Sequence, residues 1–513
     1  MLRRSLSLLF AASLGIPSTI AAQAPSATSL VRSLEAFIEK GQRDWEIPGL
    51  SVVVVRNDSV LFAKGYGVRA VGQRGAVDEH TLFGIMSTTK AMTSAAIAML
   101  VDDGVVRWDD PVTKWIPEFE MPDPYVTREL TVVDLLTHRA GLGNADLLWV
   151  RGDLDEAEIF RRVRYLEPGY SFRAGYTYQN VMYGLAGAVI AKASGMSYGE
   201  FLKHRLFEPL GMSRSFVSLS DVRASGDANV SSAHYEVGDT IRVISETPVD
   251  VLASAGAVWS TAADMARWVR FLLDSARVNG ERLIQESTFA MLFRPHTIIP
   301  PNQFYPAQSG TRPHWTTYGL GWFQHDYRGR YVAFHTGSLA GRIAIVGLLP
   351  DERFGIVMLG NVDHAEFRHA LVLKAFDLQI GDTGRDWSTE LLALYGESEA
   401  RADSARARRE AQRVAGTQPS LPLAEYAGTY RHAIWGDVVV GTEANGLTAH
   451  MGTSNELSGP LAHWHFDTFR TYWGDDLSDP GWVRFVLGSD GKVAELRYGA
   501  GEGMVFRRER GSP

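Results

Sequence analysis

A serine and a lysine three positions apart, Ser87 and Lys90, are the residues whose types and spacing could most directly do chemistry. If a helix begins at this serine, both side chains lie on one helical face, and the amine can reach the hydroxyl. The small and apolar run Ala91–Leu100 predicts that this helix is buried. Burial disfavours the charged ammonium, so a neutral Lys90 could take the proton of Ser87 and make its oxygen a nucleophile. Backbone N–H groups at the helix start could stabilise a developing oxyanion.

A second Ser-x-x-Lys pattern occurs at Ser489 and Lys492. The residues between them are Asp490 and Gly491, and apolar β-like runs flank the pattern on both sides. An Asp-Gly pair in that context indicates a hairpin turn, so we interpret this pattern as structural.

A rival nucleophile signal is the segment Gly195–Gly199, which matches the nucleophile elbow of α/β hydrolases with Ser197 as its serine. An elbow requires a strand before the turn, whereas Val181–Ala193 predicts a helix. Gly195 suits the end of that helix, and Ser197 with Glu200 predicts a capping box for the next one. We therefore reject Ser197 as the nucleophile.

Tyr178 and Asn180 stand at the start of the apolar segment Val181–Ala193. A tyrosine hydroxyl that faces the serine and lysine could pass protons, and the Asn180 amide could bind Lys90 or a substrate amide. Taken alone, the tripeptide fits a packed tyrosine and a capping asparagine better.

The segment His335–Ser338 follows a β-like run and contains Gly337. A glycine at the end of a strand allows close backbone approach to a ligand, and the N–H of Ser338 could complete an oxyanion hole. A lone histidine on a strand is more often a satisfied polar residue. Each of these motifs is weak alone, and their order in the chain is what gives them weight.

The ordered set of Ser87 with Lys90, Tyr178 with Asn180, and His335 before Thr336-Gly337 resembles the three motifs of the serine β-lactamase and penicillin-binding superfamily. The resemblance is to the class C-like branch of esterases, D-aminopeptidases and carboxypeptidases. It covers roughly Ser33 to Leu373 and is supported by further family-like segments in the expected order. They are Pro48-Gly49, Leu135–Leu142, Glu167–Gly169 with Phe172, Ser254–Thr261 and Tyr318–Trp322.

This resemblance implies a nucleophile at Ser87, a base at Lys90 and a proton shuttle at Tyr178. It also implies substrate positioning by Asn180 and His335, with oxyanion donors from the backbone of Ser87 and of Ser338 beside Gly337.

One departure from the family pattern concerns His335, because β-lactamases of this type usually carry lysine there. A histidine with the ordinary pKa of about 6.5 is mostly neutral at neutral pH and would gain charge only toward pH 6. We therefore expect esters or peptides to be hydrolysed more readily than β-lactams that carry a free carboxylate.

The composition excludes several partners. The chain has 513 residues, 45% of them hydrophobic and 21% charged, with a formal net charge of −8. Such a chain can bury a large core, and the absence of a basic excess argues against nucleic acid or anionic lipid as a partner. We expect a small ester, peptide or β-lactam-like substrate, with no metal and no other cofactor.

Residues 1–22 have the features of a secretory signal peptide, with Arg3 and Arg4 before an apolar run that ends in small residues. The run is broken by Gly15 and Pro17, which disfavours a membrane-spanning helix. The sequence contains no cysteine. These features predict export to a bacterial periplasm or the extracellular space, without stable membrane insertion after signal removal.

The order of apolar runs predicts an α+β fold for residues 23–395, an antiparallel sheet with a helical region. The resemblance implies that this fold is of the β-lactamase and transpeptidase type. Ser51–Arg56 and Val60–Gly65 predict a hairpin near the N-terminus, joined by Asn57-Asp58. Arg342–Leu349 and Phe354–Leu359 predict a second pair of strands after a long helical stretch. Strands at both ends with helices between them favour one sheet.

Residues 396–420 are rich in Ala, Arg, Glu and Asp and predict a solvated helical linker, although a surface helix of the first domain remains an alternative. Residues 421–513 consist of short β-like runs separated by turns, which predicts a small all-β barrel. This portion resembles the lipocalin-like domain that follows some of these enzymes, and oligomers could form through it. His463 and His465 lack a third ligand, so we interpret them as packed residues and not as a metal site.

Together these observations predict an exported serine hydrolase that cleaves ester or peptide bonds through an acyl-enzyme. A β-lactamase or D-alanyl-D-alanine carboxypeptidase is one alternative. A catalytically idle sensor module of the penicillin-binding type is another, although the joint presence of Ser87, Lys90 and Tyr178 argues against it.

Overall fold

The computed structural model describes residues 26–509 except 239, 364, 383, 444–445, 475–480, 500 and 502, so the predicted signal peptide lies outside the described residues. The helices are α1 (Ala27–Asp44), α2 (Thr89–Asp102), α3 (Val112–Trp115), α4 (Pro124–Glu129), α5 (Val132–Leu135), α6 (Leu147–Val150), α7 (Glu156–Arg162), α8 (Asn180–Ser194), α9 (Tyr198–Leu202), α10 (Glu208–Leu210), α11 (Leu219–Ser225), α12 (Ala253–Gly256), α13 (Ala262–Leu273), α14 (Glu286–Leu292), α15 (Pro306–Ser309), α16 (Phe367–Gln379) and α17 (Trp387–Ala411).

The strands of the first domain are β1 (Gly49–Arg56), β2 (Ser59–Gly67), β3 (Phe83–Gly84), β4 (His234–Val237), β5 (Thr240–Val243), β6 (Trp259–Ser260), β7 (Arg277–Val278), β8 (Glu281–Arg282), β9 (Thr297–Ile298), β10 (Thr316–Tyr318), β11 (Phe323–Tyr327), β12 (Arg330–Leu339), β13 (Arg342–Leu349) and β14 (Phe354–Gly360). Those of the C-terminal domain are β15 (Gly428–His432), β16 (Gly436–Glu443), β17 (Gly446–Met451), β18 (Ser458–His465), β19 (Thr468–Thr471), β20 (Gly481–Leu487), β21 (Val493–Tyr498) and β22 (Met504–Arg508).

The first domain is built on one antiparallel sheet of eight strands in the order β2-β1-β14-β13-β12-β11-β10-β9. Strands from distant parts of the chain meet at its centre, where Val53 lies opposite Val357. β1 is buried on both faces, which explains why it is a continuous apolar run and not an alternating one. The predicted α+β fold is confirmed.

Helices cover the two faces of this sheet. α1 and α16 pack on one face, where Val52 and Val54 belong to the same buried cluster as Leu34 and Leu371. The other face, which includes Val53, packs against α2, α8 and α13 in a second cluster. α2 is buried along nearly its whole length, as its small and apolar sequence predicts.

The rejection of an elbow at Ser197 agrees with the local structure. α8 ends at a left-handed Gly195 with φ of 72°, and the Ser197 hydroxyl accepts from the Glu200 N–H at 3.2 Å in a capping box. The Ser489–Lys492 segment is a turn between β20 and β21, closed by the Gly488 N–H donating to the Lys492 carbonyl at 2.8 Å.

The C-terminal domain is a closed barrel of eight antiparallel strands, β15 to β22. Its core is filled from alternate positions, such as Val438 and Val440 on β16 and Leu447, Ala449 and Met451 on β17. The predicted small all-β barrel is confirmed. The charged segment before it forms the exposed second half of α17, a helix that begins earlier than the predicted linker, at Trp387.

Within the described residues, no helix is long and apolar enough to cross a membrane. The same part of the chain holds no group of three or more His, Asp or Glu side chains that could bind a metal ion.

Candidate functional site

Ser87 lies in a tight turn, Met86–Thr88, that joins β3 to α2. Met86 has a positive φ of 46°, a conformation that side-chain-bearing residues adopt rarely and that concentrates at functional sites. Strand β12 runs directly against this turn at Gly337. A β-carbon on Gly337 would lie 2.4 Å from the Ile85 carbonyl oxygen and 3.1 Å from the Ser87 nitrogen. The absence of a side chain at position 337 therefore lets β12 approach the serine.

Lys90, in the first turn of α2, is fully buried beneath Ser87. Its Nζ lies 3.0 Å from Ser87 Oγ, 2.7 Å from Asn180 Oδ1 and 2.7 Å from the Ala255 carbonyl oxygen. Burial lowers the pKa of Lys90 to about 7. A neutral amine has two N–H donors, which Asn180 and Ala255 can accept, so its lone pair is free to face the serine hydroxyl.

Tyr178 lies on the other side of Lys90, whose Nζ is 4.8 Å from the centre of the tyrosine ring. Burial raises the pKa of Tyr178 well above its usual value, and a hydrogen bond with Ser87 only partly opposes this. The phenol therefore stays protonated at neutral pH, and Lys90 is the better base of the two.

His138 packs against Tyr178 with ring centres 4.2 Å apart, and it is fully buried. Its Nδ1 accepts the Gln179 N–H at 3.0 Å, which fixes the chain next to Tyr178. Burial lowers the pKa of His138 well below its usual value, so the ring is neutral. His138 lies within the family-like segment Leu135–Leu142, but the sequence gave no indication of its role in the site.

Asn180 is joined to a carboxylate that the sequence analysis missed. Asp146 Oδ1 accepts from Asn180 Nδ2 at 2.9 Å and from Trp149 Nε1 at 2.9 Å. A chain of hydrogen bonds thus runs from Asp146 through Asn180 to Lys90. No motif marks Asp146, which stands in an irregular segment just before α6.

His335 is only 1% exposed, and both of its ring nitrogens have partners within the protein. Nε2 lies 2.9 Å from the Tyr318 hydroxyl, and Nδ1 lies 2.6 Å from the Thr336 carbonyl oxygen. Burial, assisted by the nearby charge of Lys90, lowers the pKa of His335 to about 3. The expected gain of charge toward pH 6 is therefore corrected, because desolvation keeps the imidazole neutral there. Substrate positioning by His335 stays a prediction.

Ser338 is exposed at the end of β12 and is held from behind by a buried arginine. Arg368 Nη1 donates to Ser338 Oγ at 2.7 Å and to the Gly337 carbonyl oxygen at 2.6 Å. The Glu366 carboxylate accepts from the same guanidinium at 3.0 Å. This ion pair fixes the strand edge beside the serine, and the sequence analysis did not find it.

A narrow cleft of about 50 Å³ opens at Ser87, between Asn180 on one side and Ser338 on the other. Trp149 lines this cleft and also a larger cavity of about 620 Å³ between the first domain and the barrel. The barrel contributes Trp473 and Tyr498 to the wall of the larger cavity. The structure thus places Ser87, Asn180 and Ser338 in the lining of one cleft. Lys90, Tyr178 and Gly337 lie next to Ser87 beneath this lining, and His335 is buried.

The fold is that of the β-lactamases and is shared with a penicillin-binding protein homologue. Residues 34–378 match the Beta-lactamase family, which covers more than half of the chain, so the protein belongs to that family. Residues 412–512 match a domain of unknown function (DUF3471), which includes the barrel.

Named relatives and solved structures are similar to most of the chain. An unguisins hydrolase, ungD, from Aspergillus violaceofuscus is 27% identical over 448 residues, covering 80% of this chain and 76% of that protein. The octameric penicillin-binding protein homologue from Pyrococcus abyssi matches with a TM-score of 0.61 and 23% identity, covering 91% of this chain and 99% of the other. SurE with D-Leu matches with a TM-score of 0.54 and 21% identity, over 94% and 100%. At these identities the solved structures show a shared fold.

Proposed function

We propose that the protein is a serine hydrolase that cleaves ester or amide bonds through an acyl-enzyme on Ser87. One observation carries the proposal. The amine of Lys90, fully buried and with its pKa lowered to about 7, lies 3.0 Å from the Ser87 hydroxyl. A lysine held in this way is a base that works at neutral pH.

Acylation follows from these positions. Lys90 takes the Ser87 proton as the serine oxygen forms a bond to the substrate carbonyl carbon, and the carbonyl oxygen becomes an oxyanion. As the tetrahedral intermediate collapses, the bond from carbon to the leaving group breaks. The Tyr178 hydroxyl gives its proton to the leaving group and is reprotonated from Lys90. An acyl-Ser87 ester and a neutral Lys90 remain.

Deacylation repeats these steps with water. Lys90 takes a proton from the water molecule as its oxygen bonds to the acyl carbon. The bond from that carbon to Ser87 Oγ then breaks, and the proton returns to the serine. The backbone N–H groups of Ser87 and Ser338 are the proposed oxyanion donors in both halves of the reaction. The close packing of Gly337 on the turn of Ser87 supports this pairing.

We infer that the substrate is a small ester or peptide, with Asn180 as a candidate partner of its amide. The name of the Aspergillus relative, a hydrolase, supports hydrolysis as the reaction class. The protein as proposed is exported through residues 1–22 to a bacterial periplasm or the extracellular space. Amino-terminal sequencing of the secreted protein would test this, and retention of Arg3 and Arg4 would oppose it. Self-association through the barrel stays a prediction.

A substrate panel tests the proposal. Short-chain p-nitrophenyl esters, nitrocefin, and D- and L-aminoacyl p-nitroanilides are assayed with the wild type, Ser87→Ala and, as a matched serine control, Ser197→Ala. Intact-mass spectrometry should show an acyl adduct in the wild type and in Ser197→Ala but not in Ser87→Ala. Turnover should fall by several orders of magnitude in Ser87→Ala alone.

Two outcomes would oppose the proposal. An adduct that persists in Ser87→Ala, or that maps to Ser197, would move the nucleophile. A wild type that turns over no substrate and that neither a fluorophosphonate nor a fluorescent penicillin labels would favour the idle sensor module.

A further inference from the structure

The carboxylate of Asp146 faces the amide of Asn180 on the side opposite Lys90. A carboxylate only accepts hydrogen bonds, so the NH₂ group of Asn180 must turn toward Asp146, and its oxygen must turn toward the amine. The observed distances agree, at 2.9 Å from Asn180 Nδ2 to Asp146 Oδ1 and 2.7 Å from Lys90 Nζ to Asn180 Oδ1. The opposite amide orientation would point N–H groups at the lysine and leave Asp146 facing an oxygen.

Asp146 is held by Asn144, whose Nδ2 donates to Asp146 Oδ2 at 3.0 Å, and by the start of α6, which packs on the C-terminal barrel. Trp149 Nε1 donates to the Asp146 carboxylate at 2.9 Å. Leu147 and Val150, on the same helix, pack against the hydrophobic core of the barrel. A helix of four residues has little stability of its own, so its orientation depends on the surface that it packs against.

Arg151, which follows α6 directly, fastens this segment to the barrel. Its carbonyl oxygen accepts the N–H groups of Thr453 at 3.0 Å and Ser454 at 2.9 Å. Its guanidinium, only 3% exposed, donates to the Trp435 carbonyl oxygen. Both ends of the residue are thus bonded to the barrel.

We propose that Asp146 is a positioning residue for Lys90, acting through Asn180, and that the C-terminal barrel keeps Asp146 in place through α6. The inference rests on the proposed serine hydrolase function. The barrel would then affect catalysis without contacting the reacting atoms, by fixing the position of Asp146.

The charge of Asp146 also acts on Lys90. Its negative charge raises the pKa of Lys90, against the larger lowering by burial. The other titratable groups near the amine are Tyr178, Tyr183, His138 and His335. Both histidines are held neutral by burial, and burial raises the pKa of both tyrosines, so Asp146 is the anion that this group of residues presents to Lys90.

Two substitutions at position 146 separate orientation from charge. Asp146→Asn can still accept from Asn180 and Trp149 through its amide oxygen, but it loses the charge and, with it, the oxygen that accepts from Asn144 Nδ2. We expect its kcat at the pH optimum to stay within about threefold of wild type, while the ascending limb of kcat/KM moves to lower pH because the pKa of Lys90 falls. Asp146→Ala loses both, and we expect kcat to fall roughly tenfold or more with KM within about twofold.

Substitutions at Arg151 and Arg162, which both form hydrogen bonds to the barrel, test the role of α6. Arg151→Ala removes the guanidinium bond to the barrel and leaves the backbone bonds of residue 151 in place, so it loosens the segment after α6. We expect kcat to fall by about fivefold or more, with the pH limb moved in the same direction as in Asp146→Asn. Arg162, on α7, donates to the Ile434 carbonyl oxygen at 3.0 Å and has no hydrogen bond to α6. Arg162→Ala is therefore the matched control and should stay within about twofold of wild type.

The outcomes are separable from those of the proposed function. If Ser87→Ala is inactive while Asp146→Ala keeps wild-type kcat and both position-146 variants keep the wild-type pH limb, the positioning role is wrong and the hydrolase function stands. An equal loss in Arg151→Ala and Arg162→Ala would assign the effect to domain docking in general and overturn the role of α6. If Asp146→Ala does not fold, as judged by its melting temperature, the comparison of kcat between Arg151→Ala and Arg162→Ala decides.

Discussion

The α-carbon of Gly337 faces the Ile85 carbonyl oxygen so closely that a β-carbon there would lie 2.4 Å from that oxygen. The contact joins β12 to the turn that carries Ser87, and the two segments are some 250 residues apart in the chain. The nearest atoms are two backbone atoms, of Ile85 and Ser87, and the β-carbon of Met86, so they cannot move aside without shifting the turn or the strand.

Gly337→Ala should therefore lower kcat/KM by at least about tenfold, by displacing Ser87 from Lys90 or from the N–H of Ser338. The matched control is Gly396→Ala in α17, where no atom lies within 4 Å of the added carbon. That variant should keep full activity and gain about 0.5–1 kcal/mol in free energy of unfolding, since alanine favours a helix. Assays of ester hydrolysis measure kcat/KM, and urea unfolding measures the free energy of unfolding. Full activity in Gly337→Ala would show that the site tolerates a wider gap.

The pH dependence of activity should report Lys90. Burial lowers the pKa of its amine to about 7, so kcat/KM should rise from pH 6 to pH 8 with a midpoint near 7, as the amine loses its proton. Lys90→Met should remove this limb and lower kcat by roughly 10²- to 10⁴-fold. Lys114→Met, on the surface at α3, should change neither. Unaltered activity in Lys90→Met would remove this lysine from the mechanism.

The residues of the candidate site could be singled out from the sequence because their signals are local or ordered along the chain. The spacing of Ser87 and Lys90 places both at a helix start, and the order of the Tyr178 and His335 motifs reinforces them. The sheet was predictable for a similar reason, since continuous apolar runs such as β1 mark strands that are buried on both faces.

The residues that the sequence analysis missed act through tertiary contacts without a local pattern. Asp146 meets Asn180 across 34 positions, and Arg368 meets Ser338 across 30. The low pKa of His335 was not predicted, because it follows from burial and from contacts such as that with Tyr318, which lies two strands away on β10. Single-sequence reasoning finds periodicity and spacing, and none of these contacts has either.

The buried histidines should make the protein sensitive to acid. The pKa of each is lowered by burial from about 6.5, and the cases with resolved values are His335 and His369 at about 3 and His296 and His325 at about 4. The unfolded chain therefore binds more protons between these values and pH 6.5. The contribution of these histidines to the free energy of unfolding should be fully present above about pH 6.5 and should be lost as the pH drops toward 4.

His325→Gln isolates one contribution to this acid sensitivity. His325 is fully buried, and by pH 4 its protonation in the unfolded state should cost up to about 3 kcal/mol of folding free energy. Urea unfolding at pH 7, 5.5 and 4.5 should give a shallower dependence in His325→Gln than in wild type. His314→Gln, at an exposed histidine whose pKa Asp326 raises, should not reduce the acid sensitivity. A wild type equally stable at pH 7 and 4.5 would contradict the burial of neutral imidazoles.

The absence of a fixed cation in the cleft should set the substrate preference. Within the described part of the chain, neither lysine nor arginine lines the cleft at Ser87. The guanidinium of Arg368 is bonded to Glu366 and Ser338, and His335 is neutral with both ring nitrogens bonded. A hydrogen bond to a charged group contributes about 1.5–3 kcal/mol. A cleft without a cation for the substrate carboxylate should therefore have a kcat/KM for a carboxylate-bearing β-lactam roughly 10- to 100-fold lower than a cleft that has one. We therefore expect the kcat/KM for p-nitrophenyl esters to exceed that for nitrocefin.

This preference should not depend on pH. Because burial lowers the pKa of His335 to about 3, the ratio of the two kcat/KM values should not shift toward nitrocefin between pH 8 and pH 6. A wild type that hydrolyses nitrocefin with a higher kcat/KM than every ester and aminoacyl anilide tested would replace the esterase or peptidase assignment with that of a β-lactamase.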